Sequence, residues 1–431
     1  MVVPSGVKYG VFYTFPSNKQ KLLSQINQSQ LLTSLWKTNT NNSESSNINS
    51  PTTIPIPIRP KKQVYEQVTQ ENPTKGKLIL KSKQLYHYAK ELLKFYRIGI
   101  NNVWTNLKTM RQLKKHKYKI SNQLDAKGKS VAIRLPNFPK LTEIMAQSMY
   151  MSKVEHKVSQ DKISKQQQDS STYVKRQSSS PSAPTAPNSK STSQATLIDP
   201  NLFSLSRQEY QILKRSPKDS LKLPLFAVTF LIFEELTPLL CLLIPELSPR
   251  TCILPQLLPK IYPPTPREHL HKSAESLNDE RKIDLALKTA YNLDYARLKL
   301  LSQSLRLTSR YVPISLYPEN MLRVRLQQYL NYLRVDNYYL SGLSGEDNLW
   351  NLDEQELIIA CLERNLIEDI SEYVKLKQEG LDSVELDEYC NRLRLRLLQF
   401  LIDFPKYNIG MLCIDNPIPL DHQQIITWRE N

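Results

Sequence analysis

The stretch Leu223–Pro249, LPLFAVTFLIFEELTPLLCLLIPELSP, constrains this chain more than any other. It is apolar enough for a bilayer, yet Glu234 and Glu235 sit side by side at its middle. A span over Leu221–Ile244 would run 24 residues, about 36 Å as a helix against a hydrocarbon core of about 30 Å. Its fifteen Leu, Ile, Phe and Val residues favour insertion by roughly 4.5 to 9 kcal/mol, and two ionised carboxylates oppose it by roughly 5 to 7 kcal/mol. The balance is near zero. Three readings stay open: a true span, a helix buried in a water-facing domain, and a proline-broken pair of helices at a membrane interface.

On a helix the two carboxylates differ. Glu235 shares its face with Val228, Leu231, Leu239 and Leu242, whereas Glu234 shares its own with Ala227, Thr237, Pro238 and Cys241. Pro238 also frees the carbonyl of Glu234, four residues back. Glu234, Glu235 and Pro238 are therefore the candidate cation or proton site, because they combine hard oxygens with a group that can titrate at membrane depth.

The chain's 58 Lys and Arg against 41 Asp and Glu give a net charge of +17, which favours anionic partners such as RNA, anionic lipid or acidic proteins. Five cysteines lie far apart with no CxxC pair, so they read as small apolar residues and not as a zinc site or disulfide framework. The first 43 residues lack Asp and Glu, carry four lysines and are rich in Ser, Thr and Asn. That composition suits either a mitochondrial presequence or an ordinary disordered tail.

The pattern implies an all-α protein in six parts. Residues 1–75 form a targeting segment and disordered linker, 83–155 a basic helical region, and 156–198 a disordered Ser, Gln, Pro and Lys insertion. A pre-membrane helix and the span fill 199–249, a helical domain 250–405, and a tail 406–431. In that domain Ile283, Ala286, Leu287, Ala290, Leu293, Ala296 and Leu300 make one continuous helical stripe. Asp353 with Glu356, and Asp382 with Glu385, read as capping boxes. No alternating strand pattern of useful length stands out.

In order along the chain, LSRQEYQILKRSPKDSLKLP with Asp219, FEELTPLLCLLIPELSPRT, NMLRVRLQQYLNYLRVDNYYL with Asp336 and Asn337, and LDEQELIIACLERNL with Ala360 and Cys361 resemble the leucine zipper, EF-hand, transmembrane (LETM) family of mitochondrial inner-membrane proteins. The resemblance implies one span, with the C-terminal helical domain in the matrix and bound to mitochondrial ribosomes. It further implies K⁺/H⁺ exchange, with K⁺ and H⁺ as transported ions and a homo-oligomer or other subunits completing the pathway. The EF-hand loop and the zipper heptads are absent, Asn365 replaces a usual glycine, and Leu231 stands where a proline is common. Arg207, Lys214, Arg215, Lys218 and Lys222 precede the span while only Arg250 and Lys260 follow closely, a bias opposite to the family's topology.

A second reading is a ribosome-anchoring adaptor without transport, and a third a peripheral basic protein with no span. The helices from 346 to 403 carry 15 acidic against six basic residues, so a ribosomal contact would use Arg323, Arg325 or Arg334 instead. Lys108–Lys119 could meet RNA or headgroups. His269 and His271 point apart on a helix, and no nucleotide-binding, hydrolase or cofactor motif occurs. No enzymatic activity, metal or cofactor is expected.

Overall fold

The structure is a computed structural model that describes residues 35, 47–73, 76–124, 130–148, 203–232, 240–241, 243–345, 347–379 and 383–414. The chain divides into a main unit, residues 1–112 with 206–431, and a small unit, residues 113–205. Helices dominate, in keeping with the all-α expectation.

The small unit holds what the sequence reading did not anticipate, a two-stranded antiparallel hairpin of β1 (Lys117–Leu124) and β2 (Ser130–Arg134) that pairs Tyr118 with Ile133 and Lys119 with Ala132. Its strands are too short and too rich in Lys, Ser and Asn to show a clean alternation. A helical stretch over 138–148 follows, with Leu141, Met145 and Ala146 buried.

In the main unit, α1 (Lys61–Glu71) and α2 (Lys77–Lys115) precede α3 (Arg207–Ile232). Among the described residues seven α-helices of nine residues or more follow the apolar stretch, beginning with α4 (Thr265–Glu275), α5 (Asp279–Leu287), α6 (Tyr295–Ser304), α7 (Glu319–Leu340), α8 (Glu354–Glu363) and α9 (Ser371–Glu379). The last is α10 (Ser383–Asp403). One core gathers α8, α9 and α10 around Leu357, Cys361, Tyr373, Leu393 and Leu397; another joins α2 to the end of α3 through Phe95, Tyr96 and Phe226.

Helix starts and stops follow side-chain chemistry. Ser206 and Glu209 form a reciprocal capping box at α3: the Glu209 N–H donates to Ser206 Oγ at 3.2 Å and the Ser206 N–H to Glu209 Oε2 at 3.1 Å. The box expected at Asp353 is not made. Asp353 does precede α8, but its side chain makes no cap bond, and Glu356 is buried and paired elsewhere. At the far end of α8, Asn365 adopts φ 60°, its N–H reaching Leu362 O and that of Leu366 reaching Cys361 O. This left-handed cap is where glycine is usual and where Asn is tolerated best among other residues.

The stripe expected to be continuous from Asp279 is broken into α5 and α6. Lys288 turns to ψ 134°, and the backbone N–H groups of Asn408 and Gly410 take the carbonyls of Ala286 and Lys288. Asp294 then caps α6. A Cβ on Gly410 would lie 1.8 Å from Leu285 O, so only glycine allows this approach.

Two expectations need correction. Residues within the supposed disordered linker are threaded into the core: Ile48, Ser50 and Thr53 are buried, Asn49 donates to Asn351 O at 2.8 Å, and Asn106 donates to Thr52 O at 2.7 Å. Low hydrophobicity did not prevent ordering, because the segment supplies backbone and amide partners to groups already inside. The single span is also not found. Among the described residues no helix is long and apolar enough to cross a membrane. Helix α3 spends its first half on charged residues and is described as far as Ile232, while residues 233–239 of the expected span lie outside the described residues.

Candidate functional site

The two ends of α3 define the site. Arg207, Gln211 and Arg215 recur every four residues on one face of its first half, and α7 and α8 present the opposite charges to that face. Arg207 Nε donates to Asp336 Oδ1 at 2.8 Å, and Arg364 Nη2 to Asp336 Oδ2 at 2.6 Å. Arg215 grips Glu356 with both terminal nitrogens, at 2.6 and 3.0 Å. Lys214 reaches Glu363 Oε1 at 2.8 Å, and Tyr332 donates to Glu363 Oε2 at 2.6 Å. A backbone carbonyl and a side-chain amide add further bonds: Arg207 Nη1 donates to Ile48 O at 2.6 Å, and Arg364 Nε to Asn337 Oδ1 at 3.0 Å. Arg207, Arg215, Asp336, Glu356 and Arg364 are all buried.

Electrostatics inside this network favours the charged forms of its carboxyl groups but not of Lys214. Burial by itself would raise the Asp336 carboxyl, but Arg207 and Arg364 hold it well below the ordinary carboxylate range. Burial acts on Glu363 in the same sense, and Lys214, Arg215 and Arg250 outweigh it, bringing the group down to about 2. Lys214 feels burial most, with Arg250 and Arg215 adding to it, and falls to about 7 despite Glu363. An ion network so enclosed, with every carboxylate facing an arginine or lysine, sets helix register.

The second half of α3 is built the other way round. Phe226 is buried and Phe230 packs on Tyr96 of α2 at 6.0 Å between ring centroids. The opposite face carries Leu221 (82% exposed), Leu225 (61%), Val228 (53%) and Ile232 (66%), widened by Leu231 (80%). Leu243 and Ile244, beyond the helix, are exposed as well. Lys218 occupies the same face one turn before Leu221, and Lys222 beside it donates to Ser248 O at 3.2 Å.

The residues singled out from sequence fall as follows. Glu234, Glu235 and Pro238 lie outside the described residues. Asp219 is buried on α3, where its Oδ1 accepts the Arg250 N–H at 2.9 Å, pinning the chain after the apolar stretch; burial raises its carboxyl, against Arg250 and Lys222. Arg323 is committed to structure, since Nη1 donates to the carbonyls of Ala290, Tyr291 and Leu293 while Glu319 pairs with the same guanidinium. Arg325 donates to Leu307 O at 2.7 Å and lies over Tyr317; Arg334 is partly buried and has its own partner. The acidic surplus of the C-terminal helices is partly internal, because Glu356 and Glu363 serve as counter-charges for α3. His269 is exposed and His271 buried, and all five cysteines are buried without a disulfide.

The fold and site define a helical domain closed around a buried ion-pair network, with one apolar helix face turned outward. The family model that matches this chain is the Pentamidine resistance factor domain, over residues 146–342. No curated protein and no solved structure matches. The match corrects the LETM resemblance, and with it the expectations of K⁺/H⁺ exchange, ribosome binding and a single-pass inner-membrane topology. The packing explains why the resemblance arose. Asp219, Asp336, Ala360 and Cys361, on which it drew, are each buried, as are Arg207 and Arg215 of its basic helix. The matched segment ends before Glu356, Glu363 and Arg364, so the network closes only with helices outside the match.

Proposed function

We propose that this chain is a non-enzymatic helical scaffold that docks on one face of a lipid bilayer through the apolar stripe of α3, without crossing it. The observation that carries the reading is the inversion along α3: charges inside, and Leu221, Leu225, Val228, Leu231 and Ile232 outside. Each such side chain gains roughly 1.5–3 kcal/mol when fully buried, so the stripe has a strong drive to find cover. A bilayer suits it because charge agrees with apolarity. Lys218 continues the stripe at its basic end, and the whole chain carries +17. A helix of this kind lies in the interface, its apolar face about 5–10 Å deep, with lysines reaching to headgroups.

The matched family's printed name speaks of resistance to pentamidine, a flat dication. Direct capture of a dication has little to work with in two clefts of the main unit: one is lined by Arg59, Lys61, Lys62 and Lys377 and by no carboxylate, and in a larger one Glu71 and Glu91 sit among Arg59, Lys90, Lys94 and Arg97, with Glu91 already paired to Arg59. An effect on such a drug would follow from work at a membrane surface. Flotation of the purified full chain with phospholipid vesicles tests the proposal. Wild type is expected to float and Leu225→Asp to remain in the dense fraction at an unchanged melting temperature; equal flotation of the two removes the stripe from the account.

A further inference from the structure

We infer that the cations gathered beside the basic end of the stripe, centred on Arg306, hold the phosphate of an anionic phospholipid headgroup. This rests on the docking reading above and names the lipid class it requires.

Arg306 follows the last turn of α6 at φ 54°, its N–H donating to Gln303 O at 3.0 Å while the Leu307 N–H reaches Ser302 O at 2.9 Å. This is a left-handed helix cap of the same type as at Asn365, a position that glycine fills without strain and a long side chain does not. An arginine retained there gives up stability, and strain of this kind gathers at functional sites. The strain also has a visible result. The guanidinium stands 5.1 Å from the centroid of the Tyr262 ring and 3.7 Å from Glu246 Oε1, two residues after exposed Ile244, and it shares a cleft with Arg250.

Other cations converge from three segments. Arg325 is tied to the carbonyl of Leu307, the residue after Arg306. Lys222 is tied to Ser248, two residues from Arg250, and Lys218 stands exposed one turn earlier on α3. The carboxylates within reach are engaged: Asp219 accepts the Arg250 N–H, Glu363 holds Lys214 with the Arg250 guanidinium 3.8 Å away, and Glu246 is left to Arg306. The crowding registers on half-buried Lys222, which burial first and then Arg306 and Arg250 lower against Asp219. Positive charge held together against its own repulsion is the condition for an anion site, and arginine matches phosphate oxygens two at a time. The apolar stripe places this cluster where headgroup phosphates would lie.

The test compares binding of the full chain to vesicles of phosphatidylcholine alone and to an equimolar mixture with phosphatidylglycerol. Wild type is expected to prefer the mixture. Arg306→Gly should cut that preference roughly fivefold with no fall in melting temperature, whereas Lys61→Gln, a charge removed elsewhere, should leave it intact. An undiminished preference in Arg306→Gly, or an equal loss in Lys61→Gln, overturns the inference, as does release from the mixed vesicles by glycerol 3-phosphate, which would make the site one for a free anion. If wild type binds both vesicles equally, the headgroup site fails and docking stands; if it binds neither, the docking reading itself fails.

Discussion

The two halves of α3 belong to one helix of 26 residues and obey opposite rules. In the first, arginines are fully enclosed and paired with carboxylates from helices more than a hundred residues away; in the second, leucines stand in solvent. The contrast teaches that a polar-to-apolar gradient along a sequence does not fix which part is inside. Partners decide it. Buried charge is tolerated where geometry supplies an opposite charge, and exposed apolar surface persists where an outside partner covers it.

The largest effect is expected from breaking the inner half. Asp336→Ala leaves Arg207 and Arg364 buried without their shared counter-charge and should cost about 3–5 kcal/mol of stability in chemical denaturation. Acid probes the same half. Glu363 titrates near 2 when folded against 4.5 unfolded, so its contribution is complete above about pH 4.5 and disappears as pH falls towards 2. Stability should decline by roughly 3 kcal/mol across that window, to which the depressed Asp336 adds; a flat profile from pH 5 to 3 would contradict the network. Gly410→Ala tests the packing that splits α5 from α6 and should cost roughly 1–3 kcal/mol, read as a shift in denaturation midpoint. Changes in the outer half should barely move stability. Leu225→Asp should stay within about 0.5 kcal/mol of wild type while losing vesicle binding. Arg306→Gly should be smaller still, between no change and a gain of about 1 kcal/mol from released strain.

Helical class and the places where α8 and α10 begin were legible because they rest on local periodicity and turn chemistry, whereas the cap at Asn365 was seen only as a missing glycine. The capping box at Ser206–Glu209 was equally legible as SRQE and was passed over in favour of Asp353–Glu356, whose Glu356 has a long-range use. What could not be read was pairing. Nothing near Arg215 in sequence announces Glu356, and nothing in NSPTT announces that Thr53 Oγ1 accepts a bond from Arg215 at 2.8 Å. The same blindness turned charged residues of a buried network into an apparent pre-membrane motif and read an exposed apolar stripe as part of a span. The break between α5 and α6 was hidden for a like reason, since its cause lies at Asn408 and Gly410.

The most direct test of the account is the environment of the stripe itself. All five native cysteines are buried, so a nitroxide can be placed selectively on Val228→Cys and its collisions with oxygen and with an aqueous nickel chelate measured before and after adding anionic vesicles. Docking predicts that vesicles raise oxygen accessibility and shield the label from nickel. A label equally open to nickel in both conditions would show that the stripe stays in water, and would contradict the central claim.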